Sequence, residues 1–171
     1  MLWHVSEDAA IERFEPHRSA TALTDKLLVW AVDTRHLPLF WFPRDCPRAT
    51  FWAGPRTAEE DVERFLDGER SQRVHAVESA WLERVRAARL VAYRMPEDPF
   101  VAHTEVAGYW LSREPVVPLD RAELRDVLAL HAAARIELRV RPALWPLWDR
   151  VTASSLEYSG IRLRNARPRA G

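Results

Sequence analysis

The segment from Pro38 to Trp52, PLFWFPRDCPRATFW, constrains this chain more than any other stretch. Pro38, Pro43 and Pro47 fix φ and remove backbone donors, so no regular helix can run through it. Phe40, Trp41, Phe42, Phe51 and Trp52 carry large rings that gain by leaving water. Arg44, Asp45, Cys46 and Arg48 stand among them. Charges held between apolar walls need partners or a ligand. An unpaired buried charge costs several kcal/mol, against a domain stability of about 5–15 kcal/mol. The segment is therefore the leading candidate for a site.

A chain of 171 residues, 47% of them hydrophobic, has room for one domain with a real core and is short for two. Acids and bases balance at 25 each, which removes the electrostatic case for nonspecific nucleic-acid binding. Lys26 is the only lysine, so almost every cation is a guanidinium. A GC-rich coding sequence accounts for that bias without a functional cause. The single cysteine, Cys46, excludes an intrachain disulfide and a thiolate zinc site. With neither a basic, apolar leader nor an apolar run near 18 residues, the sequence reads as a cytoplasmic chain without a membrane span.

Taken in order, residues 2–5 form a strand, and Ser6 caps a short helix that turns Ile11 and Phe14 inward and ends at Pro16. A polar loop follows over residues 17–26. Strands are expected at 27–32, 49–53, 73–77, 90–94, 106–112, 116–119 and 136–140. Helices are expected near 58–67, with Thr57 and Glu60 at capping-box spacing, near 78–88, and from Pro146 to about 155. Asp120 with Glu123 opens the clearest helix, since Leu124, Val127, Leu128 and His131 keep i, i+3, i+4, i+7 spacing. The four arginines after Gly160 read as a solvated tail. Together these elements describe a single α+β domain with a mixed or largely antiparallel sheet and flanking helices.

His4 and His131 fall on apolar faces and read first as core histidines. The other histidines lack the shared-face spacing of a metal centre, so no metal is expected. Ser6 beside His4 lacks the glycine-flanked elbow of a serine nucleophile. Five glycines, none in a phosphate-binding run, leave no P-loop or Rossmann fingerprint. Cys46, between two arginines, is either a lowered-pKa thiol or a small buried one. Arginine forks at Arg44, Arg48, Arg113, Arg162 and Arg164 suit carboxylate or phosphate, and tryptophan and tyrosine faces suit a planar ligand. Each arginine is equally satisfied by a neighbouring acid.

The stretches LWHVSED, PRDCPR, GYWLSREPVVPL, LWPLWD and LEYSGIRLRN together resemble a bacterial family of about this length that brings no established activity. A second resemblance covers less of the chain. A strand bearing His4, followed by LPLFWFPRDCP, is similar to the opening of ADP-ribosyltransferase-like domains of the DNA-thymidine ADP-ribosyltransferase toxin type. That resemblance implies an ADP-ribosyltransferase-like fold and NAD as a substrate, with His4 at its ribose or nicotinamide and Arg44 at the active centre. It implies a nucleotide pocket drawn from Ser6, Trp30, Arg48, Tyr109 and Trp110, and a catalytic glutamate on a late strand. Glu114 fits that position best and Glu105 next, while Glu157 falls in an expected helix. The alternatives are a noncatalytic interaction domain, whose aromatics and arginines suit an interface, and a hydrolase or cyclase using Glu114 as base.

Overall fold

A computed structural model describes residues 1–18 and 26–169. The fold is α+β, and the chain partitions into two compact units, each made of two segments. The first comprises Met1–Arg44 and Ala88–Arg125, the second Asp45–Ala87 and Asp126–Gly171.

The first unit is built on β1 (Leu2–Ser6), β2 (Val29–Asp33), β5 (Leu90–Met95), β6 (Val101–Ala102), β7 (Tyr109–Ser112) and β8 (Asp120–Leu124). They form one antiparallel sheet in the order β6-β7-β2-β1-β5-β8. Alternation sends Leu2, Val29, Ala31, Val91, Tyr93 and Met95 to one face, where they pack with Phe14, Phe100 and Val116. Each of the larger aliphatic and phenylalanine side chains contributes about 1.5–3 kcal/mol on burial. A one-turn 3₁₀ helix, Leu37–Phe40, follows β2 and buries Leu39.

The second unit is built on β3 (Arg48–Trp52), β4 (Arg73–Glu78), β9 (Ile136–Arg141) and β10 (Glu157–Ile161), in the order β10-β3-β4-β9. β4 and β9 run parallel, and the other pairs are antiparallel. Its helices are α1 (Glu59–Leu66), α2 (Leu82–Arg86), α3 (Val127–Ala133) and α4 (Trp145–Thr152). Val62, Phe65 and Leu66 of α1 and Leu147 and Val151 of α4 close over Ala49, Phe51, Val74 and Ala76 of the sheet. The sheet is mixed, and helices flank it.

Several expectations are corrected. No helix follows Ser6. The Ser6 Oγ accepts from Asp8 N at 3.1 Å, Asp8 Oδ1 accepts from Ala10 N at 2.8 Å, and these local side-chain bonds outcompete a helical ladder. The buried Tyr93 hydroxyl completes the arrangement, donating to Asp8 O at 2.8 Å and accepting from Ile11 N at 3.2 Å. Of the polar loop expected at 17–26, residues 19–25 lie outside the described residues. The helix expected from Asp120 is split: 120–124 pairs with β5 as a strand, and α3 begins only after Asp126. Asp126 takes a left-handed backbone, φ 51°, and its side chain accepts from Ala129 N at 3.0 Å, which makes it the cap. Strand pairing thus overrode the helical spacing of Leu124. Val116 makes only a bridge to Phe14. The capping box at α1 does not form. Thr57 Oγ1 instead accepts from Gly54 N and donates to Ser155 O, both at 2.9 Å. Glu157 lies in a strand.

The arginine-rich end is docked through its backbone and through Arg169, while Arg164, Arg167 and Arg169 stay exposed. Trp145 Nε1 donates to Arg167 O at 2.7 Å, and Arg169 forms a fork on Asp149 at 2.7 and 2.8 Å. The same guanidinium stacks 4.2 Å from the Trp145 ring. The buried Glu78 carboxylate accepts from Leu144 N at 3.1 Å and from Arg167 N at 2.9 Å, tying the start of α4 to this segment.

Candidate functional site

His4 owes its setting to a break in strand pairing. The β1–β2 ladder pairs Leu2 with Asp33 and Trp3 with Val32 and goes no further. At the next position the His4 ring supplies the missing bond, its Nδ1 lying 2.8 Å from Trp30 O. A carbonyl only accepts, so Nδ1 carries the proton, and the neutral ring keeps its lone pair on Nε2. The half-buried imidazole lies 4.7 Å from the Phe14 ring. Burial is the largest cause of its lowered pKa. The Trp30 carbonyl opposes that effect, and the charges of His17 and Arg44 add to it. Neutral histidine is therefore the working form near pH 7.

Arg44 is exposed and near enough for its charge to act on His4. Its backbone N–H donates to Glu7 Oε2 at 3.2 Å, which fixes the chain leaving the 3₁₀ turn. His4, Ser6, Glu7 and Arg44 thus share one corner of the first unit. Ser6 uses its hydroxyl oxygen in the local turn described above.

The other predicted residues are distributed differently. Trp30 and Tyr109 project from the sheet face opposite to Leu2 and His4, with ring centroids 6.2 Å apart, edge to face. His103 stacks on Trp30 at 5.9 Å, and Phe40 meets Tyr109 at 6.0 Å. The buried Trp30 Nε1 has no hydrogen-bond partner among the described residues. Trp110 lies on the His4 face and packs against the apolar core. Glu114 is exposed in the bend after β7, its backbone N–H and C=O both bonded to the Ser112 hydroxyl at 3.0 and 2.9 Å. Glu105 is exposed, its N–H 3.1 Å from His103 Nδ1.

Arg48 belongs to the second unit. It is 2% exposed, in β3, and donates from Nη1 to Cys46 O at 3.0 Å. Its charge favours the Cys46 thiolate, but burial dominates and the nearby Glu78 adds to it, pushing the thiol up to about 12. Cys46 is an inert, buried thiol.

Two further pairs were not anticipated from the sequence, one local and one remote. Asp33 Oδ1 lies 2.7 Å from His36 Nδ1 and accepts the His36 backbone N–H at 2.9 Å. Gly108 closes on that ring. A Cβ there would stand 2.0 Å from His36 Nδ1, and its φ of +81° already favours glycine. In the second unit, the buried His75 and His131 meet with Nδ1 and Nε2 3.0 Å apart, and His131 Nδ1 lies 2.6 Å from Val127 O. Strand alternation and a helical stripe place each ring inside separately, but a separation of 56 positions along the chain hides the contact. No group of three histidine, cysteine, aspartate or glutamate residues is arranged to hold a metal among the described residues. A shallow cleft of about 350 Å³ on the first unit, lined by Ile11, Glu12, Tyr93, Leu119, Asp120 and Arg121, includes none of the predicted site residues.

Among the described residues, no helix is long and apolar enough to cross a membrane. Residues 3–166 match a family of unknown function, DUF6886, and the chain belongs to that family. No curated protein and no solved structure matches it.

Proposed function

We propose that this member of the DUF6886 family binds NAD or a related phosphorylated nucleotide at the His4–Arg44 corner, in a domain resembling ADP-ribosyltransferases. The observation that carries the reading is the fixed tautomer of His4 within reach of the Arg44 charge. A bare Nε2 accepts a hydrogen bond from a ribose hydroxyl or a carboxamide N–H. An exposed guanidinium takes a phosphate through two parallel bonds. One group selects the sugar or amide and the other the anion, a combination that suits a nucleotide better than a simple anion.

Calorimetric titration with NAD and with ADP-ribose tests the binding. Arg44→Ala and His4→Ala should each weaken it by roughly tenfold or more, the worth of one lost charged or neutral hydrogen bond at a site. Absence of binding at millimolar ligand overturns the proposal. Transfer of ADP-ribose is the chemistry that the resemblance attaches to such binding, with Glu114 as the carboxylate. Product analysis on wild type and Glu114→Gln tests that separate step.

A further inference from the structure

We infer that the His75–His131 pair is an acid-sensitive latch that holds α3 on the four-stranded sheet of the second unit. The proton positions follow from the geometry. Val127 O can only accept, so His131 Nδ1 carries a proton, and the neutral ring presents a bare Nε2. The 3.0 Å contact then requires His75 to donate from Nδ1. The chain of bonds runs from the sheet through both rings to the first turn of α3.

One added proton leaves the link in place as an imidazolium–imidazole bond, because neutral His75 can carry its proton on Nε2 and accept at Nδ1 from a protonated His131. Whichever ring holds it, the proton places a cation in a sealed position. Arg73 on the same strand and Arg48 on β3 both oppose that charge. Thr50 and Leu138, the cross-strand neighbours of His75, carry no charge. On the helical side, α2 packs against α3 with the buried Val85 and leaves Glu83, Arg84 and Arg86 exposed. Burial and these cations hold the His75 pKa well below its ordinary value, and burial lowers that of His131.

α3 depends on this contact more than a longer helix would. It has seven residues, too few to be stable alone, and only Val127 and His131 are buried. Moving His131 into water to hydrate the added charge removes one of two anchors. In the unfolded chain both histidines titrate near 6.5, so the folded form binds fewer protons below that pH. The latch is fully closed above about 6.5 and opens as the pH falls further.

Amide hydrogen exchange of the full chain, corrected for intrinsic rates between pH 7.5 and 5, tests this. Protection of residues 127–133 should fall by about tenfold per pH unit below 6.5 for each proton taken up, while β5 stays protected. His131→Gln keeps an acceptor for His75 and leaves His75 as the one ring of the pair that titrates, so its α3 protection should fall less steeply than that of the wild type over the same range. Unchanged wild-type protection at pH 5 overturns the inference, as does a pH response as steep in His131→Gln as in the wild type. Should that variant not fold, imidazole nitrogen shifts of the wild type decide. Rings that titrate together with the loss of protection support the latch, and loss of protection with both rings neutral refutes it.

Discussion

His4 and His75 are both neutral, partly or wholly buried histidines on strands, and each donates from Nδ1, yet their surroundings make them different objects. His4 ends its hydrogen-bond chain after one link, at Trp30 O, beside an exposed arginine and a carboxylate. His75 sits at 0% exposure and continues through a second imidazole to a helix backbone. Near His4 the strands part and the ring fills the gap, so the cost of change there is local. Near His75 every neighbour belongs to a packed sheet or helix. Burial alone therefore does not separate the two histidines; what each ring's second nitrogen can reach does.

Mutation and binding can break or sharpen that contrast. His75→Ala should cost the most, about 3 kcal/mol in urea unfolding, because it opens a cavity and removes the donor to His131. A cost below about 1 kcal/mol would place His75 in the same class as His4. His4→Ala should cost about 1 kcal/mol, the worth of one bond to a carbonyl at a half-buried edge. A loss as large as that of His75→Ala would make His4 a structural residue only. Arg44→Ala should leave the urea midpoint unchanged while weakening nucleotide binding. A shifted midpoint would show that the exposed guanidinium holds the fold.

The sequence revealed elements more readily than relations between them. Strands near 2–5, 73–77 and 136–140, and helices near 58–67 and 146–155, follow from local period and breakers and appear close to those positions. The stretch 120–131 misled because its helical spacing is real, but only from Val127 onward does the backbone use it; before that, pairing with β5 prevails. Pro38–Trp52 contains a 3₁₀ turn and then a fully buried strand, and its two arginines go to different units. No local rule separates Arg44 from Arg48. The faces of the first sheet were legible for β1, where Leu2 and His4 alternate with Trp3 and Val5. They were not legible for β2 relative to β1, because register decides that Trp30 points away from His4. The histidine pair lay beyond reach for the same reason.

The chain changes unit between Arg44 and Asp45, between Ala87 and Ala88, and between Arg125 and Asp126. During synthesis, β3 and β4 leave the ribosome before β5 and β8, although they belong elsewhere. The six-stranded sheet can close once residue 125 has emerged. β4 must still wait for β9, its only parallel neighbour, and Phe51, Val74 and Ala76 wait with it for the cover that α4 brings. Until then an apolar strand edge stands open, the kind of intermediate that aggregates or recruits a chaperone. The order in which the two units finish is thus written into their interleaving, with the first unit able to mature while the second is still an unfinished insertion.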